Sequence, residues 1–355
     1  MHYFDIINTF SKRSLSQEEK IKISKFYSEL DVDGEKEKIC LLCGEKINGF
    51  CKSHSLPKFV LKNHSSNGKL KTGKVFQSDS FKDNYGIENT LVFRCICDKC
   101  DSSYFQEYEK DEAFKKKLSD VTINEIAVKN YLQYVYKQRV EIVKNEKRLS
   151  NAIDSEEERQ FYENQLFLAK LNLIDVMAKI KKYKNRKNEH NFYVIDEINL
   201  DYHTEIAYQG FITIVYGLDG KVINNIYDYD SFYKIQELGL SVIPHSSGTK
   251  IILFCEEGST RLRSFYKPYK KLNIQQKLYL INYLLLLYEE EWTIDDAKRL
   301  NLNKETLRLI NQHDTIIQSS DYFGDLVTGK EIIENAKIFF KLQTNGNIYN
   351  FLEKK

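Results

Sequence analysis

Two short stretches decide how this chain is read: Cys40-Leu41-Leu42-Cys43-Gly44 and Cys97-Asp98-Lys99-Cys100. Two thiolates separated by two residues reach one metal ion from a tight turn, and a glycine after the pair relieves the backbone where amides approach the sulfurs. A single such pair would be open to a redox reading. Two pairs supply four thiolates, the ligand set of a tetrahedral structural Zn2+ site, so Cys40, Cys43, Cys97 and Cys100 are the expected metal ligands. The loop between Cys43 and Cys97 holds 53 residues. Closing it costs roughly 3.5 kcal/mol, while zinc contributes about 10–16 kcal/mol in small structural sites. Zinc ligation outweighs the closure. Cys51, Cys95 and Cys255 fall outside the pair spacing and are read as small apolar core residues.

Working outward, the chain has 355 residues, 42% of them hydrophobic and 13% aromatic. That composition belongs to a folded chain with room for more than one core. Lys and Arg number 53 against 51 Asp and Glu, a net charge of +2, so any polyanion-binding surface must be a local patch. The most apolar run, Leu278 to Tyr288, contains Asn282 and then meets Glu289, Glu290 and Glu291. It is too short and too interrupted to span a bilayer. The opening stretch MHYFDIINTFSKRSL lacks the pattern of a signal peptide, so a cytoplasmic address with reduced thiols is expected and no membrane partner.

The apolar periodicity predicts a helix after Ser16, then a cysteine-bearing unit with a long loop or extended hairpin over Asn63 to Asn84 and a short strand over Leu91 to Ile96. Two long helices, about Ile123 to Leu149 and Ser155 to Lys184, should form an antiparallel hairpin. The second ends in a basic run, Lys181 to Lys187, read as a solvated helix end, with a phosphate-contacting patch as the sharper alternative. Strands follow at Phe192 to Ile198, Glu205 to Tyr216, Lys221 to Tyr227, Leu240 to Pro244 and Lys250 to Cys255, with a hairpin turn at Gly217 to Gly220. Asp196, Glu197, Asp201, His203 and Glu205 are read as a solvent-facing edge. His245 and His313 are read as structural. The last hundred residues return to helix, most strongly at Gln275 to Tyr288.

Between the cysteine pairs lies Lys52-Ser53-His54-Ser55-Leu56-Pro57-Lys58-Phe59-Val60, with a histidine eleven residues after Cys43. The order is a cysteine knuckle, a strand with His, a long connection, then a second pair opening a helix. At CLLCG, SHSLPKF and CDKCD the chain resembles the HNH, or ββα-metal, endonuclease family in its branch with four zinc cysteines. The resemblance covers about Ile39 to Leu118, a quarter of the chain. It implies a treble-clef zinc unit in which His54 is the general base that activates water against a phosphodiester. An imidazole with a pKa near neutrality suits that task.

The resemblance also implies that Asp101, directly after Cys100, is a catalytic residue holding Mg2+ or Mn2+ at the start of the helix. The residue before the catalytic His is often acidic in this branch and helps bind that ion; here it is Ser53. Glu109, eight residues beyond Asp101, could serve as a further ligand or be a solvated helix carboxylate. His64 is read as a loop histidine.

The expected fold class is α+β: residues 1–120 an HNH-like treble-clef zinc domain, 121–187 a long helical hairpin, and 188–355 an accessory or sensor domain with a mostly antiparallel sheet and C-terminal helices. The function implied by the resemblance is metal-dependent cleavage of DNA, with phage defence as the preferred setting and a partner protein bound through the C-terminal region. The alternative is a non-catalytic zinc-stabilised module that binds nucleic acid or protein. His54 and Asp101 separate the two, because a binding module needs neither.

Overall fold

The computed structural model describes residues 38–72, 84–150, 155–219, 221–225, 233–289, 291–298, 302–307 and 348–354. The helix expected after Ser16, the break at 151–154, Gly220 and His313 lie outside the described residues. Strand β1 (Lys38–Ile39) pairs with β2 (Lys46–Ile47), and β3 (Ser53–His54) pairs with β6 (Val92–Phe93). Between them come helix α1 (Lys58–His64) and strands β4 (Lys69–Thr72) and β5 (Asn84–Gly86), and after them α2 (Asp98–Tyr104) and α3 (Asp111–Phe114). The extended hairpin expected near residues 63–84 is thus the antiparallel pair of β4 and β5. His64 closes α1 rather than sitting in a loop.

The long hairpin forms as expected, from α4 (Asp120–Ser150) and α5 (Glu156–Tyr183). Ser155 caps α5 by accepting from the amide of Glu158, one of three glutamates in the first turn, where the helix dipole favours negative charge.

The sheet strands are β7 (Phe192–Leu200), β8 (Ile206–Ile212), β9 (Leu238–His245), β10 (Gly248–Glu256) and β11 (Thr293–Asp295), with helices α6 (Arg263–Tyr269) and α7 (Ile274–Tyr288) between the last two. The expected strand at Lys221 to Tyr227 is reduced to one bridge, Tyr216 to Val222, among the described residues. The sheet has seven strands in the order β5-β4-β11-β8-β9-β10-β7, every pair antiparallel. Strand β11, far along the chain, is paired with β4 from the cysteine-bearing region.

Period-two alternation divides the core. Leu240, Val242, Ile251 and Leu253 face one cluster with Phe265, Leu284 and Phe351. Ile243, Ile252 and Phe254 face the other, with Phe93, Phe105, Tyr131 and Ile180. A register shift between Leu253 and Phe254 leaves Ile195 as an extra residue, so Ile195 and Ile198 share the first face despite their odd spacing. The sheet is therefore a central layer, with the cysteine-bearing unit and long hairpin on one side and α6, α7 and residues 348–352 on the other. No helix among the described residues is long and apolar enough to cross a membrane.

Two readings of charge are corrected. Asp196 and Glu197 are not solvent-facing: Asp196 accepts from Tyr269 and Lys277, and Glu197 pairs with Lys250, whose side chain is 1% exposed. The basic run ending α5 is a solvated end at Lys181, Lys182 and Arg186, which are exposed, whereas Lys184 and Lys187 are engaged by the protein. Lys184 donates to the carbonyls of Leu41 and Leu42, and Lys187 to the carbonyl of Tyr104 and the buried Glu125. Both lysines tie the hairpin to the zinc unit. A cation near those carbonyls satisfies groups that the knuckle turn leaves unpaired.

Candidate metal centre and active site

The sulfurs of Cys40, Cys43, Cys97 and Cys100 lie within 4.8 Å of one another. Tetrahedral zinc with bonds of about 2.3 Å sets its thiolates roughly 3.8 Å apart, so the cluster fits that ion. Local structure explains the convergence. Gly44, at φ +79°, lets the turn close with its amide donating to the Cys40 carbonyl at 2.8 Å. Cys97 caps α2, which puts Cys100 on the first helical turn, and the Cys97 amide points at the Cys40 sulfur at 3.4 Å.

Burial opposes ionisation of Cys40, but the amides of Cys43, Cys97 and Leu42 outweigh it and bring the thiol down to about 7. Burial and the three neighbouring sulfurs push Cys100 up. Four crowded thiolates call for a cation, and Zn2+ is the ion their number and spacing would suit. Cys51, Cys95 and Cys255 are buried core members as expected, and burial pushes Cys51 and Cys255 up to about 12.

Strand β3 carries Ser53 and His54 beside this cluster. His54 is 5% exposed, and its Nε2 lies 3.1 Å from the carbonyl of Ile87. A carbonyl only accepts, so Nε2 carries the hydrogen and Nδ1 keeps the lone pair. The structure gives Nδ1 no protein partner among the described residues. Burial lowers the pKa of His54, partly offset by the Ile87 carbonyl, and Lys58 lowers it further.

The next carbonyl, that of Ser55, accepts from the Tyr108 hydroxyl at 2.5 Å and from Gln209 at 2.9 Å. Gln209 comes from the central sheet and also reaches Asn130 on α4. The cysteine-bearing unit, the central sheet and the long hairpin therefore together hold the backbone beside His54.

Ser53 donates its hydroxyl to Asp101 Oδ1 at 2.6 Å, so the two residues expected to share a cation do meet. The same oxygen, however, accepts from Lys129 on α4 at 2.7 Å, and Glu109 lies 4.0 Å from that ammonium. Glu109 is exposed, with 37% of its side chain accessible, as a solvated carboxylate would be, and it accepts from the Lys58 amide at 3.3 Å. No hydrogen bond joins His54 to Asp101 or Glu109. Compared with known proteins, the chain matches no family model, no curated protein and no solved structure.

The fit to a catalytic Mg2+ is poor in this arrangement. That ion takes six oxygen donors in near-ideal octahedral geometry and keeps several waters. Here the central carboxylate oxygen already holds a buried ammonium and a hydroxyl proton, and the ammonium lies over the Phe105 ring, 4.1 Å from its centre. In the sequence the one signal for Lys129 is a charge, beside the polar Asn130, within the mainly apolar stretch Ile126-Ala127-Val128-Lys129-Asn130-Tyr131-Leu132. His64, by contrast, is committed structurally: its Nε2 bonds the Thr293 carbonyl at 3.0 Å, and burial lowers its pKa to about 4.

Proposed function

We propose that the zinc unit hydrolyses phosphodiester bonds in DNA, as the HNH resemblance implies, with His54 as the general base. The observation that carries this reading is the Nε2–H bond to Ile87. It leaves a neutral imidazole with its lone pair on Nδ1, able to take a proton from a water that then attacks phosphorus. The four-cysteine site supports the reading by holding β3, which bears His54, against α2, which bears Asp101. Phage defence as a setting, and a protein partner for the C-terminal region, rest on the resemblance and on chain length.

A second reading keeps the alternative of a zinc-stabilised binding module without catalysis. It is favoured by the depth of His54 and by Asp101 being already neutralised by Lys129. Plasmid nicking, with RNA and branched DNA as further substrates, decides between them. The expected result is cleavage by the wild-type chain that is lost in His54→Ala while zinc content is unchanged. Cleavage that survives His54→Ala removes His54 as the base, and failure to cleave any substrate selects the binding module.

A further inference from the structure

We propose that Lys129 is the resident cation of the Ser53–Asp101–Glu109 cluster, standing where a divalent metal ion would otherwise bind. The inference rests on reading those three residues as the cation-binding set of the proposed active site.

Three observations converge on it. The Lys129 side chain is 1% exposed, so its ammonium is a fixed component of the interior and cannot leave for solvent without unpacking α4. Its Nζ sits 2.7 Å from Asp101 Oδ1, the carboxylate expected to ligate the metal, and 4.0 Å from Oε1 of Glu109, the further ligand the sequence offered. The remaining surroundings are aromatic: the centres of the Phe105, Tyr108 and Phe93 rings lie 4.1, 5.8 and 5.9 Å away. Ring faces attract an ammonium. On its other side the ammonium occupies the oxygen donors of Ser53, Asp101 and Glu109, the groups a divalent ion would need.

The consequence is that Lys129 is a positioning residue. It holds Asp101, and through the Ser53 hydroxyl it holds the strand that carries His54. A divalent ion approaching Asp101 meets a buried like charge, so hydrolysis at His54 proceeds without one.

Mn2+ titration of the zinc-loaded full-length chain, followed by the paramagnetic resonance signal of free Mn2+, tests this without depending on activity. Wild type and Asp101→Asn should titrate alike. Lys129→Met removes the charge and keeps an unbranched apolar stem. It should gain one Mn2+ per chain, held at least about tenfold more tightly than any ion at that site in wild type, the scale on which a neighbouring like charge acts. Adding Asp101→Asn to Lys129→Met should abolish the gain.

A wild-type Mn2+ site that Asp101→Asn removes overturns the proposal. So does a zinc-retaining Lys129→Met that gains no ion, or nicking by wild type that strictly requires Mg2+. If Lys129→Met does not fold, the comparison of wild type with Asp101→Asn still decides. Loss of the nuclease reading would show as absent nicking and leaves the Mn2+ result unaffected.

Discussion

The Nε2–H of His54 donates to the backbone carbonyl of Ile87 at 3.1 Å, and that bond selects Nδ1 as the nitrogen free to act. Ile87 lies in the connection leading to β6, so the tautomer of a residue on one strand is decided by the approach to its partner strand. The imidazole is buried, which disfavours its charged form.

The pH dependence of cleavage follows with a definite sign. The proposed base works in its neutral form, and burial lowers its pKa below the ordinary value of 6.5. Cleavage should therefore be lost as pH falls, with the midpoint of the acid limb below 6.5. A pH–rate profile measures this, and an acid limb centred at or above 6.5 would remove His54 as the group that titrates.

Cys100→Ser should lose the metal and the order of the zinc unit together, since three thiolates and a hydroxyl make a poor tetrahedral site. Zinc content by mass spectrometry under native conditions should drop from one per chain to none. Retention of one tightly held zinc in Cys100→Ser would show that the fourth ligand lies elsewhere.

Lys184→Met tests the tie between the long hairpin and the knuckle. The ammonium reaches the Leu41 carbonyl at 3.2 Å and the Leu42 carbonyl at 2.7 Å, the two residues between Cys40 and Cys43. Hydrogen bonds from a charged donor are worth about 1.5–3 kcal/mol. The variant should unfold at lower denaturant and release zinc faster to a chelator, with His54-dependent cleavage retained in the loaded protein. Unchanged zinc release would mean that the knuckle holds its geometry alone.

Glu197→Ala leaves the ammonium of Lys250 buried without a countercharge. Lys250 donates to Glu197 at 3.2 Å and to the Lys116 carbonyl at 2.6 Å. Breaking a buried pair on one side costs about 3–5 kcal/mol, whereas replacing both partners by apolar residues costs far less. Equilibrium unfolding should show a large loss in Glu197→Ala and partial recovery when Glu197→Leu is combined with Lys250→Met. Equal stability of the two variants would mean that water reaches the pair.

Much of this was legible in the residues. Four cysteines at matched spacing, two long periodic segments and four of the sheet strands are local patterns, and each appears close to its expected place. What local pattern could not carry was pairing at a distance. Strand β11 is a three-residue segment with no strand signal of its own, and it becomes a strand because β4 and β8 lie on either side of it. Acidic residues on β7 look like an exposed edge in sequence, because nothing nearby announces that Lys250 and Lys277 will face them.

The candidate site divides along the same line. The sequence by itself marked the four cysteines that cluster and the short motifs that carry Ser53, His54 and Asp101, because each cysteine pair and each motif is a pattern of a few residues. Only the tertiary structure decided what fills the space beside Asp101. Lys129 reaches it from a helix 28 residues away, and the burial of that helix against the sheet sets where its ammonium ends. A helix periodicity tells which face is buried; it does not tell which carboxylate a buried lysine will meet.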